Sequence, residues 1–270
     1  LSYIQVISDR DKIPGQFIIS GSQNLQLMQS ISQSLAGRVA IFNLLPFSLE
    51  ELEPTKFNYS NYEDYIFKGF YPRIYDMDLD PNQWLKDYIS TYVERDVRQI
   101  LNVGDLSLFR QFLEICAGRT GQLINLSEMG NQLGISYQTV NKWLSVLETS
   151  FICFTLRPYH NNFNKRIVKS PKLYFYDTGL ACALLNIRSK AELNTHFAKG
   201  ALFENFIINE ITKKQQNRNK PQSNYFWNAA GTKEVDLILD QGGQLFPIEI
   251  KSGRTISIHF FDGIRYFQNI

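Results

Sequence analysis

The chain has 270 residues, 44% of them hydrophobic, and 28 Lys and Arg against 26 Asp and Glu give a formal net charge of +2. That length admits two small domains or one large one, and the near balance of charge excludes a protein that binds polyanions through its overall field, so any nucleic-acid contact has to come from a local patch. No apolar run reaches the roughly 18–20 residues that span a bilayer, so no membrane partner is expected. The opening Leu1-Ser2-Tyr3-Ile4-Gln5-Val6 lacks the basic region and long apolar core of a secretory leader. Cys116, Cys153 and Cys182 are widely spaced among apolar neighbours. They read as buried free thiols, which suits a cytoplasmic location, and suggest neither a zinc site nor a disulfide framework.

In chain order, residues 1–52 read as a strand, a helix and a second strand. Phe17-Ile18-Ile19-Ser20 is a short apolar run of the kind buried on both faces of a parallel sheet, ending in Gly21-Ser22-Gln23-Asn24. Leu27, Ile31 and Leu35 follow at helical spacing, residues 39–45 form another apolar stretch, and Leu49-Glu50-Glu51-Leu52 opens a new helix. One strand has no hydrogen-bond partners by itself. Together with the missing initiator Met and an apparently helical finish over residues 260–270, this leads us to expect a piece cut at both ends, its sheet completed by upstream sequence.

Residues 53–117 are expected to be a largely helical connector. It holds Gly69-Phe70-Tyr71-Pro72-Arg73 and an apolar face marked by Leu85, Ile89, Tyr92, Val93, Val97 and Ile100, with a break near Asn102-Val103-Gly104-Asp105. Residues 118–170 carry a helix-turn-helix pattern. Asn125 followed by Glu128 resembles a capping box, and Leu133-Gly134-Ile135-Ser136 reads as the turn, with Gly134 ending one helix and Ser136 capping the next. Val140, Leu144 and Leu147 then face the core, leaving Gln138, Thr139, Asn141 and Lys142 outward where a recognition helix meets DNA. Residues 151–157 and 166–169 are the expected wing strands. Lys142, Arg157, Lys165, Arg166, Lys169 and Lys172 form a local basic cluster suited to phosphates. A plain protein-interaction module with a solvated polar face fits the same pattern.

In residues 171–270, Asp236 sits in the apolar strand Val235-Asp236-Leu237-Ile238-Leu239, a turn follows at Asp240-Gln241-Gly242-Gly243, and the next strand carries Glu249-Ile250-Lys251. Residues two apart on a strand share a face, so Glu249 and Lys251 point together, and a hairpin lets Asp236 join them. Glu204 lies upstream on an amphipathic helix able to pack on that sheet. The alternative for Glu249 and Lys251 is a surface ion pair at a strand end. The arrangement resembles the PD-(D/E)XK nuclease superfamily. That resemblance implies Asp236 and Glu249 as Mg²⁺ ligands, Lys251 orienting the attacking water or stabilising the phosphorane, and Glu204 supporting the site.

Several segments together resemble prokaryotic AAA-type ATPases that carry a C-terminal domain of unknown function 4143: Phe17-Ile18-Ile19-Ser20-Gly21-Ser22-Gln23, Ser34-Leu35-Ala36-Gly37-Arg38, Gly69-Phe70-Tyr71-Pro72-Arg73, Tyr92-Val93-Glu94-Arg95-Asp96-Val97, Lys169-Ser170-Pro171-Lys172-Leu173-Tyr174-Phe175-Tyr176-Asp177-Thr178-Gly179-Leu180, Gly200-Ala201-Leu202-Phe203-Glu204 and Ile248-Glu249-Ile250-Lys251-Ser252-Gly253. The fold this implies is α/β and multidomain: the C-terminal part of a P-loop AAA-type domain over residues 1–52, a winged helix-turn-helix, then a PD-(D/E)XK-like α/β domain over residues 171–270. It further implies that Ser22, Gln23 and Asn24 end the strand that senses the ATP γ-phosphate, and that Arg38 is an arginine sensor or finger. No G-x-x-x-x-G-K-[ST] loop occurs in these residues, so ATP is expected as ligand of a longer parent chain and not of these residues alone. The functions left open are a DNA-associated Mg²⁺-dependent nuclease under ATPase control, a non-catalytic DNA-binding or protein-docking module on an ATPase, and a transcription regulator using the winged helix. Expected partners are DNA, the ATPase domain of the parent chain, and a second copy or another protein.

Overall fold

The computed structural model describes residues 2–20, 37–93, 106–160, 170–229, 233–253 and 255–269. The first half is helical: α1 (Ser2–Asp11), α2 (Leu49–Leu52), α3 (Tyr62–Lys68), α4 (Pro72–Asp76), α5 (Pro81–Tyr88) running into a π turn (Ile89–Val93), α6 (Leu106–Gly118), α7 (Leu126–Leu133) and α8 (Tyr137–Thr149). Strands then alternate with helices: β1 (Cys153–Pro158), β2 (Lys172–Phe175), α9 (Thr178–Leu184), α10 (Lys190–Thr195), α11 (Lys199–Asn217), β3 (Asn224–Asn228), β4 (Glu234–Gln241) and β5 (Gln244–Ile248). A 3₁₀ turn (Ile258–Phe261) and α12 (Asp262–Gln268) follow. The five strands make one mixed sheet in the order β2-β1-β3-β4-β5.

The helix-turn-helix forms where its punctuation places it. The Asn125 side chain accepts from the Glu128 amide at 3.1 Å and opens α7. Glu128 does not close the box: its carboxylate turns to Arg119 and Gln132. Gly134 takes the left-handed conformation (φ 68°, ψ 26°) that ends a helix at low steric cost. The Ser136 hydroxyl accepts from the Thr139 amide at 3.2 Å and opens α8. Removing that cap is expected to cost about 1 kcal/mol, so Ser136→Ala should lower the unfolding free energy from urea titration by that amount while Ser145→Ala, on the exposed face of α8, leaves it unchanged. Val140, Leu144 and Leu147 are buried, and Trp143 packs edge-on against Phe109 (5.3 Å) and tilted against Phe112 (5.5 Å) of α6.

The strand after α8 does not close a separate wing. β1 pairs antiparallel with β2 and also parallel with β3 through Arg157↔Tyr225 and Pro158↔Phe226. The return strand is therefore residues 172–175; residues 166–169, expected in that role, lie outside the described residues. One sheet consequently runs across position 170/171. Helix α11 is fastened to β2 and its continuation by two buried asparagines. Asn205 accepts from the Phe175 amide and donates to its carbonyl, both at 2.8 Å, and Asn209 donates to the Tyr176 carbonyl at 2.6 Å.

The main core runs through α3–α11 and includes Phe70, Phe109, Phe112, Trp143, Leu180 and Phe206. A smaller cluster of Leu156, Tyr174, Ile208, Phe226, Leu237 and Ile250 fills the space at the sheet. The connector is locked to the N-terminus of α9 at one point. Asp177 caps that helix through the Leu180 amide (2.7 Å) and accepts from the Phe70 amide (2.6 Å). Nearby, the Lys213 ammonium is buried 3.9 Å from the Phe70 ring centroid and donates to the Phe47 carbonyl (2.7 Å) and to Glu210 (3.0 Å). Glu210 in turn accepts from the Leu49 amide at 2.6 Å.

Two expected strands are absent. Residues 17–20 have no regular structure, with Ile18 95% exposed, and so do residues 39–45, where Ile41, Phe42 and Leu44 are exposed. Among the described residues no neighbouring strand offers these segments hydrogen bonds, and extended apolar backbone without a ladder has nothing to hold it as sheet. The helix at residues 2–11 was not anticipated. The three cysteines are buried and free, and burial pushes each thiol pKa up. Among the described residues, no helix is long and apolar enough to cross a membrane.

Candidate functional site

The β4–β5 hairpin assembles the carboxylate cluster. Gly242 (φ 67°) and Gly243 (φ 93°) form its two-residue turn, a geometry with both central residues at positive φ, and Asp240 fixes it by accepting from the Gly243 amide at 2.9 Å. The register pairs Leu237 with Ile248, so one further step brings Asp236 opposite Glu249. Strand β5 ends at Ile248; Glu249, Ile250 and Lys251 lie just beyond it, held by the Ile250 amide donating to Asp236 Oδ2 at 2.8 Å.

Asp236 and Glu249 converge on one cation position, filled here by the Lys251 ammonium at 3.2 Å from Asp236 Oδ2 and 2.5 Å from Glu249 Oε1. Glu204 of α11 lies within electrostatic reach of Asp236. Its Oε1 accepts from Tyr174 (2.6 Å) and from Lys172 (3.2 Å), both on β2. Lys172 is also ion-paired to Glu234 at the start of β4. All four sequence-expected residues, Asp236, Glu249, Lys251 and Glu204, thus lie in one cluster. Lys172, Tyr174 and Glu234 join it and were not anticipated there. The signal for them was the short strand of residues 172–175 reaching the same helix as Glu204, visible only once the sheet order is known.

Burial pushes the Glu204 carboxyl up against the pull of Lys172, and Asp236 adds to the rise. Burial likewise raises Glu249, with Lys251 opposing. For Lys251 burial works against the charge, but Glu249 and Asp236 outweigh it and leave the ammonium above the ordinary lysine range. Lys172 follows the same balance, with Glu204 and Glu234 outweighing burial. The Tyr174 phenol is driven well up by burial and by Glu204.

As a cation site, the cluster has the right donor chemistry. Asp236 and Glu249 offer hard carboxylate oxygens, and Glu249 Oε2 is buried with no hydrogen-bond partner among the described residues. Magnesium keeps most of its waters and commonly takes only one or two carboxylates, so this pair fits it in type. Among the described residues no group of three or more His, Cys, Asp or Glu side chains is placed to hold a metal, consistent with Glu204 being engaged by Lys172 and Tyr174.

On the helix-turn-helix, Gln138, Asn141 and Lys142 are exposed along α8 and Thr139 is half-buried against Ser136. Arg157 is exposed on β1, whereas Lys165, Arg166 and Lys169 lie outside the described residues. Lys172, expected in the basic phosphate-facing cluster, is instead buried among the carboxylates: its strand is interior to the packing of α11, so the ammonium meets Glu204 and Glu234 and not solvent. Ser22, Gln23 and Asn24 lie outside the described residues, and Arg38 is paired with Asp9 of α1 at 2.6 Å on an exposed surface.

Comparison with known proteins assigns three segments. The model of an AAA domain matches residues 1–53, a domain of unknown function, DUF8612, matches residues 59–191, and a second, DUF4143, matches residues 199–270. An uncharacterized protein of Mycobacterium tuberculosis is 29% identical over 258 residues, covering 94% of this chain and 56% of its own length, and one of Mycobacterium bovis matches to the same extent. An uncharacterized protein of Haemophilus influenzae is 20% identical over 268 residues, 93% of this chain and 63% of its own. The chain therefore spans between half and two thirds of the length of the curated relatives it matches. No solved structure matches. The chain thus matches an AAA domain at its N-terminus followed by DUF4143 at its C-terminus, the order expected of an AAA-type protein that carries a DUF4143 domain.

Proposed function

We propose that the protein is an ATP-binding, DNA-associated AAA-type protein whose C-terminal unit hydrolyses phosphodiester bonds at the cluster of Asp236, Glu249, Lys251 and Glu204. The observation that carries this reading is the convergence of Asp236 and Glu249 on a single cation position within 3.2 Å of both. A merely structural strand-end ion pair has no need of a further acidic group, Glu204 of α11, within electrostatic reach of Asp236. Asp236 and Glu249 would hold Mg²⁺, which when bound supplies positive charge at the scissile phosphate and makes water more acidic. Lys251, kept charged by its two carboxylates, is 40% exposed on its side chain and can reach a phosphate oxygen to stabilise the charge that develops as water oxygen bonds phosphorus and the sugar oxygen leaves. Glu204 orients the cluster through Tyr174 and Lys172. The exposed Gln138, Asn141 and Lys142 on α8 would grip the duplex, and ATP would act in the AAA domain of the longer protein.

The test is cleavage of supercoiled plasmid and of single-stranded DNA with Mg²⁺ or Mn²⁺. Removing a group that stabilises transition-state charge costs about 10²–10³ in rate, so Asp236→Ala and Lys251→Ala should each lose at least two orders of magnitude. Absence of cutting by the folded chain, and by the full-length protein with ATP, would leave the cluster a structural one. The non-catalytic docking module is then the reading, which the pairing of Lys172 with Glu204 and Glu234 and of Lys251 with Asp236 and Glu249 favours.

A further inference from the structure

We propose that Lys172 is a built-in counter-cation that holds the Glu204–Glu234 side of the carboxylate cluster closed and competes with a divalent cation for it; the proposal rests on the reading of that cluster as a cation site. Lys172 comes from β2, with β1 and β3 between it and the hairpin that carries Glu234, Asp236 and Glu249. Its side chain is only 5% exposed, and its Nζ meets Glu204 Oε1 at 3.2 Å and Glu234. An ammonium buried to that degree persists only when paired, so these carboxylates and the lysine hold each other in place. Tyr174, two residues along the same strand, donates to the same Glu204 oxygen at 2.6 Å. One strand therefore engages that oxygen twice, and a metal would have to displace both donors to use it.

The contrast with Lys251 separates the two lysines. Lys251 sits beside Glu249 on the same segment and its side chain is 40% exposed, so it can swing toward a substrate. Lys172 has no such path. Its strand is bridged on the outer side to the segment leading into α7, through Thr120↔Leu173 and Leu123↔Lys172. The Gly121 amide donates to the Leu173 carbonyl at 2.8 Å, and the Leu173 amide donates to the Gln122 carbonyl at 3.1 Å. At Gly121 a Cβ would already meet the Glu204 carboxyl at 3.6 Å. The seat of Lys172 is thus set from the helix-turn-helix side, which gives that unit a physical hold on how open the cluster is.

Free Mn²⁺ counted by electron paramagnetic resonance tests this without relying on turnover. The 270-residue chain is compared with Lys172→Gln, which keeps a hydrogen-bond donor without the charge, with Lys172→Met, and with each of these combined with Asp236→Ala; circular dichroism selects the folded variants. Removing a like charge from beside the site should tighten Mn²⁺ binding at least about tenfold, and Mn²⁺ should raise the melting temperature of the Lys172 variants more than that of the parent. Asp236→Ala should abolish the gain. Equal or weaker binding in the folded Lys172 variants, with binding still lost in Asp236→Ala, would overturn the counter-cation role and leave the cation site standing. No saturable binding in any variant would overturn both.

Discussion

Gly69→Ala is expected to lose at least about 4 kcal/mol of unfolding free energy. Gly69 follows α3 with φ 72° and ψ −164°, a region open essentially to glycine alone. A Cβ there would lie 2.8 Å from Asp177 Oδ2 and closer still to Oδ1. Asp177 cannot retreat, because it is fully buried and holds the amides of Phe70 and Leu180. The facing glycine is just as constrained: a Cβ on Gly179 would lie 2.7 Å from the Gly69 nitrogen and 2.8 Å from its Cα, contacts with backbone that no rotamer relieves. Gly179→Ala should therefore fail alongside Gly69→Ala. Gly134→Ala is the control, since Gly134 shares a positive φ but has nothing within 4 Å of its Cβ position, and the left-handed backbone alone costs about 1–2 kcal/mol. Urea titrations followed by circular dichroism decide it: similar losses for Gly69→Ala and Gly134→Ala would show that the Asp177 junction gives way.

The second large effect is at Lys213. Its ammonium is completely buried, and burial lowers its pKa against the pull of Glu210 and Asp177. Lys213→Met keeps the packing on Phe70 but strands Glu210 and the Phe47 carbonyl, and breaking one side of a buried pair costs about 3–5 kcal/mol. Adding Glu210→Gln removes the stranded charge, so the double variant should recover at least about 1 kcal/mol over Lys213→Met alone. A double variant no more stable than the single one would mean that the lysine acts through Phe47 and Asp177 and not through Glu210.

Local chemistry was legible in the sequence wherever a residue acts on its own neighbourhood. Asn125, Gly134 and Ser136 cap and end helices by bonds within three or four residues, and the helix-turn-helix follows from them. Gly242-Gly243 sets a hairpin, and the hairpin's register alone brings Asp236 to Glu249. What the sequence could not show depends on contacts made between distant segments. Lys172 looks like one more basic residue in a run that includes Lys165, Arg166 and Lys169, and only its strand's place next to α11 turns it inward. Asn205 and Asn209 look like ordinary polar positions of a helix until β2 supplies the backbone groups they bond. The motif residues Gly69 and Gly179 are more than a hundred positions apart, yet Gly179 must be glycine because the Gly69 backbone lies against it, and Gly69 because Asp177 does. The apolar runs at residues 17–20 and 39–45 carry the pattern of buried strands, but pattern does not provide the neighbouring strand that a ladder requires.

The parallel pairing of β1 with β3 has a mechanical consequence. Because Arg157 and Pro158 are paired in register with Tyr225 and Phe226, the strand that follows α8 belongs to the same sheet that carries Asp236. On the proposed function, a duplex seated on α8 and a phosphate presented to the carboxylates would be measured by one sheet, and cuts would fall at a constant offset from the bases held, as marks fall along a ruler.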